Sequence, residues 1–295
     1  MDDFITIQAH QSHVNAVRFS PDGRFLVSAG MDNALKLWSR GSWALAASIE
    51  AHDKSVNDFD FGPDGATLYT GSTDRTARSW SFPQLAQRRS FKGHKSAVTA
   101  VRVSPHGDVI ATASNDAAVR LWDPATGECR HTLKAHRRNV TSIQFVQDGR
   151  TLATAGLGDE VYLWSVADGE RIGELTGHKA AVTLGGLGRE GDRLVTAGYE
   201  GQVKIWDTED WELQSSFEPG ASGLFNLAVS PHGGMVAIAS ERNVAIWSLE
   251  LLDVLVELPI KPKGVYGVAF SPEGDFLACA AADKQIRLWA VDSII

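Results

Sequence analysis

Tryptophan recurs along this chain at intervals of 42 residues, with a single interval of 41. The series comprises Trp38, Trp80, Trp122, Trp164, Trp206, Trp247 and Trp289. A fixed period of this length indicates a repeat protein, in which each repeat is one supersecondary unit that buries its apolar surface against its neighbours. Seven repeats take up the whole sequence, so we predict that residues 1–295 form a single domain.

Two other series keep step with the tryptophans. Histidine stands near the start of five repeats, and glycine or lysine replaces it in the last two: His10, His52, His94, His136, His178, Gly220 and Lys261. Turn sequences such as Ser-Pro-Asp-Gly at 20–23 follow. Apolar and polar residues alternate between the turns, as at 35–38, which is typical of half-buried strands. The pattern predicts an all-β protein with four short strands, A to D, in every repeat.

Strand A departs from strict alternation. In repeat 1 its apolar residues are Val14, Val17 and Phe19, so the first spacing is three residues and the second is two. Because side chains alternate between the faces of a strand, an odd spacing would put Val14 and Val17 on opposite faces. One inserted residue, a β-bulge, returns both to the same face. We therefore predict a bulge near the start of strand A.

The repeat resembles the WD40 family in its length and in its Gly-His and Trp-Asp pairs. These pairs are Gly93-His94, Gly177-His178, Trp122-Asp123 and Trp206-Asp207. The resemblance covers the entire chain and implies a seven-bladed β-propeller, with four-stranded antiparallel blades around a central channel. Repeat 7 ends after strand C, and residues 4–7 have the character of a strand D. We expect residues 4–7 to complete the last blade and so to close the ring.

Histidine, a hydroxyl residue, an acidic residue and tryptophan recur together in the first repeats. The sets are His10, Ser28, Asp32 and Trp38; His52, Thr70, Asp74 and Trp80; His94, Thr112, Asp116 and Trp122; His136, Thr154 and Trp164; and His178, Thr196, Glu200 and Trp206. A buried indole N–H needs an acceptor, which the hydroxyl can supply while it donates to the imidazole. In the WD40 family such a tetrad ties strand C to strand B and to the loop before strand A. Repeats 6 and 7 depart from the pattern.

A serine hydrolase is the competing interpretation of these sets. It is disfavoured because the set recurs in repeat after repeat, its hydroxyl is usually threonine, and no Gly-x-Ser-x-Gly elbow occurs. The glycine motif at 186–191 lies between predicted strands, whereas a dinucleotide site needs a strand followed by a helix. His10 and His13 lack a third metal ligand in the sequence pattern. We predict no catalytic residue, no metal and no cofactor, and hence a protein that is not an enzyme.

The net charge of −8 argues against a nucleic-acid or anionic-membrane partner, since both require a basic surface. Cys129 and Cys279 are far apart and form no Cys-x-x-Cys pair, which is typical of a reducing compartment. The N-terminus has no signal-peptide pattern, and no stretch is apolar enough to cross a membrane. We expect a cytoplasmic protein that is monomeric as a closed ring.

Partner binding is predicted on the face where the D–A and B–C loops emerge, here called the top face. Repeats 1 to 3 offer mainly small or polar groups at the channel mouth: His13, Asn15, Ser55, Asn57, Thr73, Ala97, Thr99 and Asn115. The remaining arc offers large apolar groups: Leu157, Tyr199, Phe225, Tyr266 and Met31. Basic residues follow in the D–A loops: Lys54, Lys95, Arg137, Arg138, Lys179, Lys261 and Lys263.

Contiguous exposed aromatic residues beside basic loops favour a protein-interaction scaffold that binds an acidic peptide segment with an apolar anchor. Two alternatives stay open. One is a propeller that binds a small molecule or is enzymatic at the channel mouth, which would need converging acid–base or metal-binding groups there. The other is a regulatory propeller of a larger protein. Trp43 and Trp211 lie outside the tryptophan series, and we expect them to pack over the rim at the bottom face.

Overall fold

The computed structural model describes residues 4–134, 136–146, 148–187, 192–220, 223–241, 243–260 and 264–295. Within these ranges the chain forms β-strands and one short 3-10 helix at Val291–Ser293. None of the helices in the described ranges is long and apolar enough to cross a membrane.

The strands form seven antiparallel four-stranded sheets, which are the blades of a β-propeller. The first strand of the chain is β1 (Ile5–Gln8). Blades 1 to 3 comprise β2 (Val14–Phe19), β3 (Phe25–Gly30), β4 (Ala34–Ser39) and β5 (Leu45–Glu50); β6 (Val56–Phe61), β7 (Thr67–Ser72), β8 (Thr76–Ser81) and β9 (Gln87–Lys92); and β10 (Val98–Val103), β11 (Ile110–Ser114), β12 (Ala118–Trp122) and β13 (Cys129–Lys134).

The remaining blades repeat this order. Blades 4 to 6 comprise β14 (Val140–Val146), β15 (Thr151–Gly156), β16 (Val161–Ser165) and β17 (Arg171–Leu175); β18 (Val182–Leu187), β19 (Arg193–Gly198), β20 (Val203–Asp207) and β21 (Leu213–Phe217); and β22 (Asn226–Val229), β23 (Met235–Ala239), β24 (Asn243–Ser248) and β25 (Asp253–Pro259). Blade 7 comprises β26 (Val265–Phe270), β27 (Phe276–Ala281) and β28 (Gln285–Ala290), together with β1.

The ring closes where the first strand joins the last blade. Strand β1 pairs antiparallel with β28, with Ile7 opposite Ile286, so the predicted closure is confirmed. At the same junction Trp43 packs between Phe19 of blade 1 and Phe276 of blade 7, with ring centroids 6.4 and 5.4 Å away. Arg40 adds an ion pair to Glu273 of blade 7 at 2.7 Å. Pairing the chain ends removes two open sheet edges, and the side-chain contacts hold the two blades together.

The predicted bulge of strand A is confirmed by the pairing register. Between β2 and β3 the register shifts between Val14 and Ala16, after which Val17 lies opposite Ser28. The same shift occurs at the start of strand A in blades 2, 3, 4 and 7. As a result Val14, Val17 and Phe19 are all buried.

The hydrophobic core is divided among the junctions between neighbouring blades. One cluster combines Leu35 and Leu37 of blade 1 with Phe59, Leu68 and Trp80 of blade 2. Alternation along each strand places apolar side chains on both faces of the central strands, so every blade packs against two neighbours. Trp211, which follows strand C of blade 5, packs against the cluster that contains Trp206.

Candidate functional site

The repeated histidine sets form hydrogen-bonded chains inside the blades. In blade 3 the indole Nε1 of Trp122 lies 2.8 Å from Thr112 Oγ1, which lies 2.8 Å from His94 Nε2. His94 Nδ1 lies 3.1 Å from the Asp116 carboxylate. Since an indole N–H can only donate, the hydroxyl accepts that bond and donates its hydrogen to Nε2. Nδ1–H then donates to the carboxylate.

The same chain of bonds recurs in the other repeats with changes at its acidic end. The indole-to-hydroxyl distances are 2.8 to 3.0 Å and the hydroxyl-to-imidazole distances 2.7 to 2.9 Å in blades 1 to 5. Asp32 and Asp74 complete the tetrads of blades 1 and 2, and Glu200 takes the acidic place in blade 5 at 2.6 Å from His178. In blade 4 the ring of His136 instead packs against that of Tyr162, with centroids 4.7 Å apart.

Blade 6 has no such chain among its described residues. Trp247 keeps the tryptophan position, but the strand pairing places Ile238 where the hydroxyl residue should be, and Gly220 stands where the histidine should be. The indole Nε1 of Trp247 is buried without a hydrogen-bond partner in the described part of the chain. Its ring is held by stacking on Phe217, with centroids 4.7 Å apart. This blade therefore relies on apolar packing where blades 1 to 5 use a polar network.

Burial sets the charge of these histidines. It lowers the pKa values of His10, His52, His94 and His178, although the partner carboxylate opposes the shift in each case. His136 has no carboxylate partner, and burial lowers its pKa to about 4. Burial alone would raise the pKa of Asp32, but hydrogen bonds from Gln11 N–H and His10 bring it below the ordinary value. At neutral pH the imidazoles are thus neutral and the carboxylates ionised.

These sets cannot work as hydrolytic triads. The hydroxyls of Ser28, Thr70 and Thr112 are fully buried, and each is bonded to both an indole and an imidazole. A nucleophile must reach the substrate, and these oxygens cannot. The described residues hold no cluster of three or more potential metal ligands. The glycine motif at 186–191 begins within β18, and the next described element is β19, not a helix; its residues 188–191 lie outside the described residues.

The top face opens on a central cavity of about 720 Å³, and its mouth has a polar and an aromatic half. In the polar half, Asn15 Nδ2 donates to Ser55 Oγ and to the Val56 carbonyl, at 2.9 and 2.8 Å. Asn57 and Thr99 make the equivalent bonds to the carbonyls of the next blades. These side chains join neighbouring blades, and their hydrogen bonds are made to other groups of the protein.

The aromatic half is a continuous row of rings across blades 5, 6, 7 and 1. Tyr199 and Phe225 have ring centroids 6.0 Å apart, and Phe225 and Tyr266 have centroids 6.4 Å apart. His13 stacks on Tyr266 at 5.7 Å. We call Tyr199, Phe225, Tyr266 and His13 the aromatic row. Tyr199 is 46% exposed, Tyr266 is 37% exposed and Phe225 is half-buried between them.

Backbone hydrogen bonds between the top loops position this row. The N–H of Tyr199 donates to the Ala181 carbonyl at 2.8 Å, and the N–H of Gly223 donates to the Tyr199 carbonyl at 3.1 Å. Gly223 has a φ of +71°, and a Cβ there would lie 3.3 Å from Glu241 and 3.6 Å from the Tyr199 ring. Glycine at 223 therefore allows the loop before strand A of blade 6 to pass close to Tyr199.

Comparison with known proteins agrees with this architecture. The WD40 model, described as WD domain, G-beta repeat, matches residues 3–39, 43–81, 85–123, 127–165, 169–207 and 255–290. The chain belongs to the WD40 family. The unmatched residues 208–254 contain most of blade 6, in which neither histidine nor a hydroxyl residue stands at the tetrad positions.

A short stretch of this WD40 chain also resembles a curated protein. Ribosome assembly protein 4 of Saccharomyces cerevisiae (strain ATCC 204508 / S288c) is 66% identical to it over 29 residues. The match covers 10% of this chain and 6% of that protein. It is shorter than one WD40 repeat, so it reflects the shared repeat and says nothing of a shared role.

The other predicted contact residues lie around the mouth of this WD40 propeller. Leu157 lines the cavity together with Tyr199, Phe225 and Tyr266, and Met31 is exposed on blade 1. The basic residues Lys54, Lys95, Arg137, Arg138 and Lys179 are all exposed in the top loops of blades 2 to 5. Lys261 and Lys263 lie outside the described residues.

The structure adds an ion network on the channel wall that our sequence analysis missed. Asp58 of blade 2 accepts from Arg18 of blade 1 at 3.0 Å and from Arg102 of blade 3 at 2.6 Å. Burial by itself would raise the pKa of Asp58, but both arginines and the Val101 N–H bring it below its ordinary value. Burial raises the pKa of the neighbouring Asp60. The signal was present in strand A, because Arg18, Asp60 and Arg102 recur at the repeat period.

Proposed function

We propose that this WD40 propeller is a non-catalytic interaction scaffold that holds partner proteins at its top face. The observation that supports this most directly is the aromatic row at the mouth of the central cavity. A WD40 propeller is generally a platform for other proteins, and here one arc of the mouth is suited to contact them. Among the described residues, no group of three or more histidines, cysteines or carboxylates could hold a metal ion.

The aromatic row has the physical character of a binding hot spot. Tyrosine and phenylalanine bury large areas at low entropic cost, and they are frequent anchors of protein interfaces. Scattered exposed apolar residues are normal on a protein surface, but rings in contact across four blades form a contiguous patch. The polar half of the mouth offers little in comparison, since Asn15, Asn57 and Thr99 are already bonded to neighbouring blades.

The charge around the mouth indicates which segment would bind. Exposed lysines and arginines stand in the top loops of blades 2 to 5, although the whole protein carries a net charge of −8. Complementary charge accelerates encounter and selects partners. The proposed partner is an acidic peptide segment that places an aromatic or aliphatic side chain on the aromatic row and extends its acidic residues toward Arg137, Arg138 and Lys179.

The proposed setting is the cytoplasm, with the propeller acting as a monomeric ring. Both cysteines are free thiols: Cys129 is exposed and Cys279 is buried. Free thiols persist most readily in a reducing compartment.

Affinity capture from the native cell extract tests this proposal. Three baits are compared by quantitative mass spectrometry: the wild type, a Tyr199→Ala, Phe225→Ala, Tyr266→Ala variant, and a Leu45→Ala, Ile172→Ala, Leu213→Ala control. The control residues are also exposed apolar side chains, but they lie on outer strands. We expect a partner that the wild type and the control retain and the aromatic variant loses. Equal capture by all three would refute the site, and no specific capture would refute the scaffold.

A further inference from the structure

The outer strand of each blade has one edge that no described strand covers. These outer strands are β1, β5, β9, β13, β17, β21 and β25. An uncovered edge presents backbone N–H and C=O groups to which another chain can add a strand. Soluble proteins usually block such edges with lysine, arginine, proline or short strands. The seven edges of this propeller differ in how well they are blocked.

Blades 2 to 4 carry basic residues on their outer strands. Strand β9 contains Arg88, Arg89 and Lys92, β13 contains Arg130 and Lys134, and β17 contains Arg171. Strands β1, β5 and β21 lack basic residues, and each presents a single exposed large apolar side chain: Ile5, Leu45 and Leu213.

Strand β25 of blade 6 has the most exposed large apolar residues of these edges, and Pro259 blocks only its last position. It has seven residues and is the longest outer strand. Val254 and Leu255 are adjacent and 38% and 37% exposed, and Leu251 in the preceding turn is 71% exposed. Val256 and Leu258 point the other way and pack into the core of blades 6 and 7, which fixes the strand in place. The result is a firmly held strand with an apolar outer surface.

The charged residues of β25 and of the turn before it are all acidic. Residues 243–260 contain no lysine or arginine, whereas Glu250, Asp253 and Glu257 are all exposed. The acidic residues would disfavour an acidic or neutral strand and attract a basic one, because opposite charges on neighbouring strands stabilise pairing. This environment differs from the basic loops at the top face, so the two surfaces suit different partners.

We propose that β25 is a docking edge for an extended basic segment of a partner protein. The segment adds to blade 6 as a fifth strand. Its backbone pairs with that of β25, its apolar side chains cover Val254 and Leu255, and its lysine or arginine side chains pair with Asp253 and Glu257. This inference does not depend on the aromatic row. It assigns the scaffold a second contact surface on its rim.

A synthetic probe tests the proposal with the full chain. The probe is a fluorescein-labelled peptide of about the length of β25 that alternates valine with lysine and arginine, and binding is followed by fluorescence anisotropy. Leu255→Lys should weaken binding about tenfold, which corresponds to about 1.4 kcal/mol. Leu213→Lys on β21 is the matched control, since Leu213 is 45% exposed on another outer strand. It should leave the Kd unchanged.

Two further measurements separate strand addition from simple charge attraction. A probe methylated on alternate backbone nitrogens keeps its charge but cannot pair along one edge, and it should bind at least about tenfold more weakly. Hydrogen exchange read by mass spectrometry should slow at 253–259 when the unmodified probe binds. Val254→Lys provides a second variant with the same expectation as Leu255→Lys.

Three results would overturn the proposal. The first is no saturable binding of the probe, and the second is equal affinity of the methylated and unmethylated probes. The third is light scattering that shows a wild-type dimer which Leu255→Lys converts to a monomer, because a second copy of this chain would then occupy the edge. Loss of binding on changing the aromatic row would bear on the top face alone, so the two proposals fail separately.

Discussion

At the scale of single residues, the repeated tetrad shows how one polar network is used and then abandoned. The bonds of blades 1 to 3 satisfy every polar atom that the indole, hydroxyl and imidazole bury, so the network stabilises the blade. In blade 4 His136 bonds to Thr154 but to no carboxylate among the described residues. In blade 6 the indole of Trp247 has no hydrogen-bond partner among the described residues. The histidine pKa values and the tryptophan packing make these differences measurable.

Replacing a tetrad tryptophan should cost much of the stability of the protein. Trp122 is buried, packs against Phe91 and donates to Thr112. Trp122→Ala removes the ring and leaves a cavity, so we expect a loss of about 3–5 kcal/mol in the free energy of unfolding. Urea denaturation followed by circular dichroism measures it. A loss below about 1 kcal/mol would contradict the buried network as the basis of blade stability.

The free energy of unfolding should fall in mild acid because of His136. Its pKa falls from 6.5 to about 4 on folding, so the unfolded chain binds a proton that the folded chain excludes. The contribution of His136 is therefore complete above about pH 6.5 and is lost as pH falls from there toward 4. The size of the loss is at most about 3 kcal/mol.

The measurement for His136 compares unfolding free energies of the wild type and His136→Gln between pH 8 and pH 4.5. The variant should have the flatter profile, because glutamine does not titrate. The carboxyls of Asp32, Asp74 and Asp116 have lowered pKa values, so their contribution falls away only at more acidic pH. Parallel profiles for the two proteins would show that His136 is not the group responsible.

At the scale of strands, the position of a residue along an outer strand decides whether its side chain is buried or exposed. In strand β1 only Ile7 is buried, and it reaches the core. Strand β25 turns Val256 and Leu258 inward, but Val254 and Leu255 remain outside. Which strand would keep an uncovered apolar edge depended on the charges and lengths of all seven outer strands.

Two isoleucines of β1 provide a matched test of ring closure. Ile7 is buried against Ile286 and Leu288, whereas Ile5 is exposed on the same strand. Ile7→Ala should lower the free energy of unfolding by about 2–4 kcal/mol through lost packing. Ile5→Ala should change it by less than about 0.5 kcal/mol. Equal effects in thermal or urea unfolding would mean that β1 contributes no buried contact to blade 7.

At the scale of the whole molecule, contacts between blades hold the ring and define its surfaces. Asp58 joins blades 1, 2 and 3 through Arg18 and Arg102, and it also accepts the Val101 N–H. The opposite arc of the ring carries the aromatic row instead. The propeller thus has one side whose mouth is internally bonded and one side whose mouth is free to contact a partner.

Removing the buried Asp58 should strongly destabilise the protein. Asp58→Ala leaves Arg18 and Arg102 close together without their shared anion, and breaking a buried ion pair in this way costs about 3–5 kcal/mol. Unfolding in urea at low and high salt measures the effect. A loss that vanishes in high salt would indicate a screened surface pair instead of a buried network.

The repeat, its strands and the closure of the ring were predictable from the sequence because each depends on local patterns. The tryptophan period, the alternation seen at 35–38 and the odd spacing seen at Val14 and Val17 recur in several repeats. Because the patterns are repeated, an irregular residue in one repeat does not hide them. The top-face residues were also predicted from their fixed offsets to the histidine series.

Only the tertiary structure decided which side chains meet across blades. Tyr199, Phe225 and Tyr266 lie about one repeat apart, and their ring contacts depend on the spacing of neighbouring blades and on the glycine loop at 223. The shared use of Asp58 by two arginines has the same origin. A local pattern specifies the direction of a side chain from its own strand. The partner that it meets is set by how closely two separately folded sheets pack, which no single segment of sequence encodes.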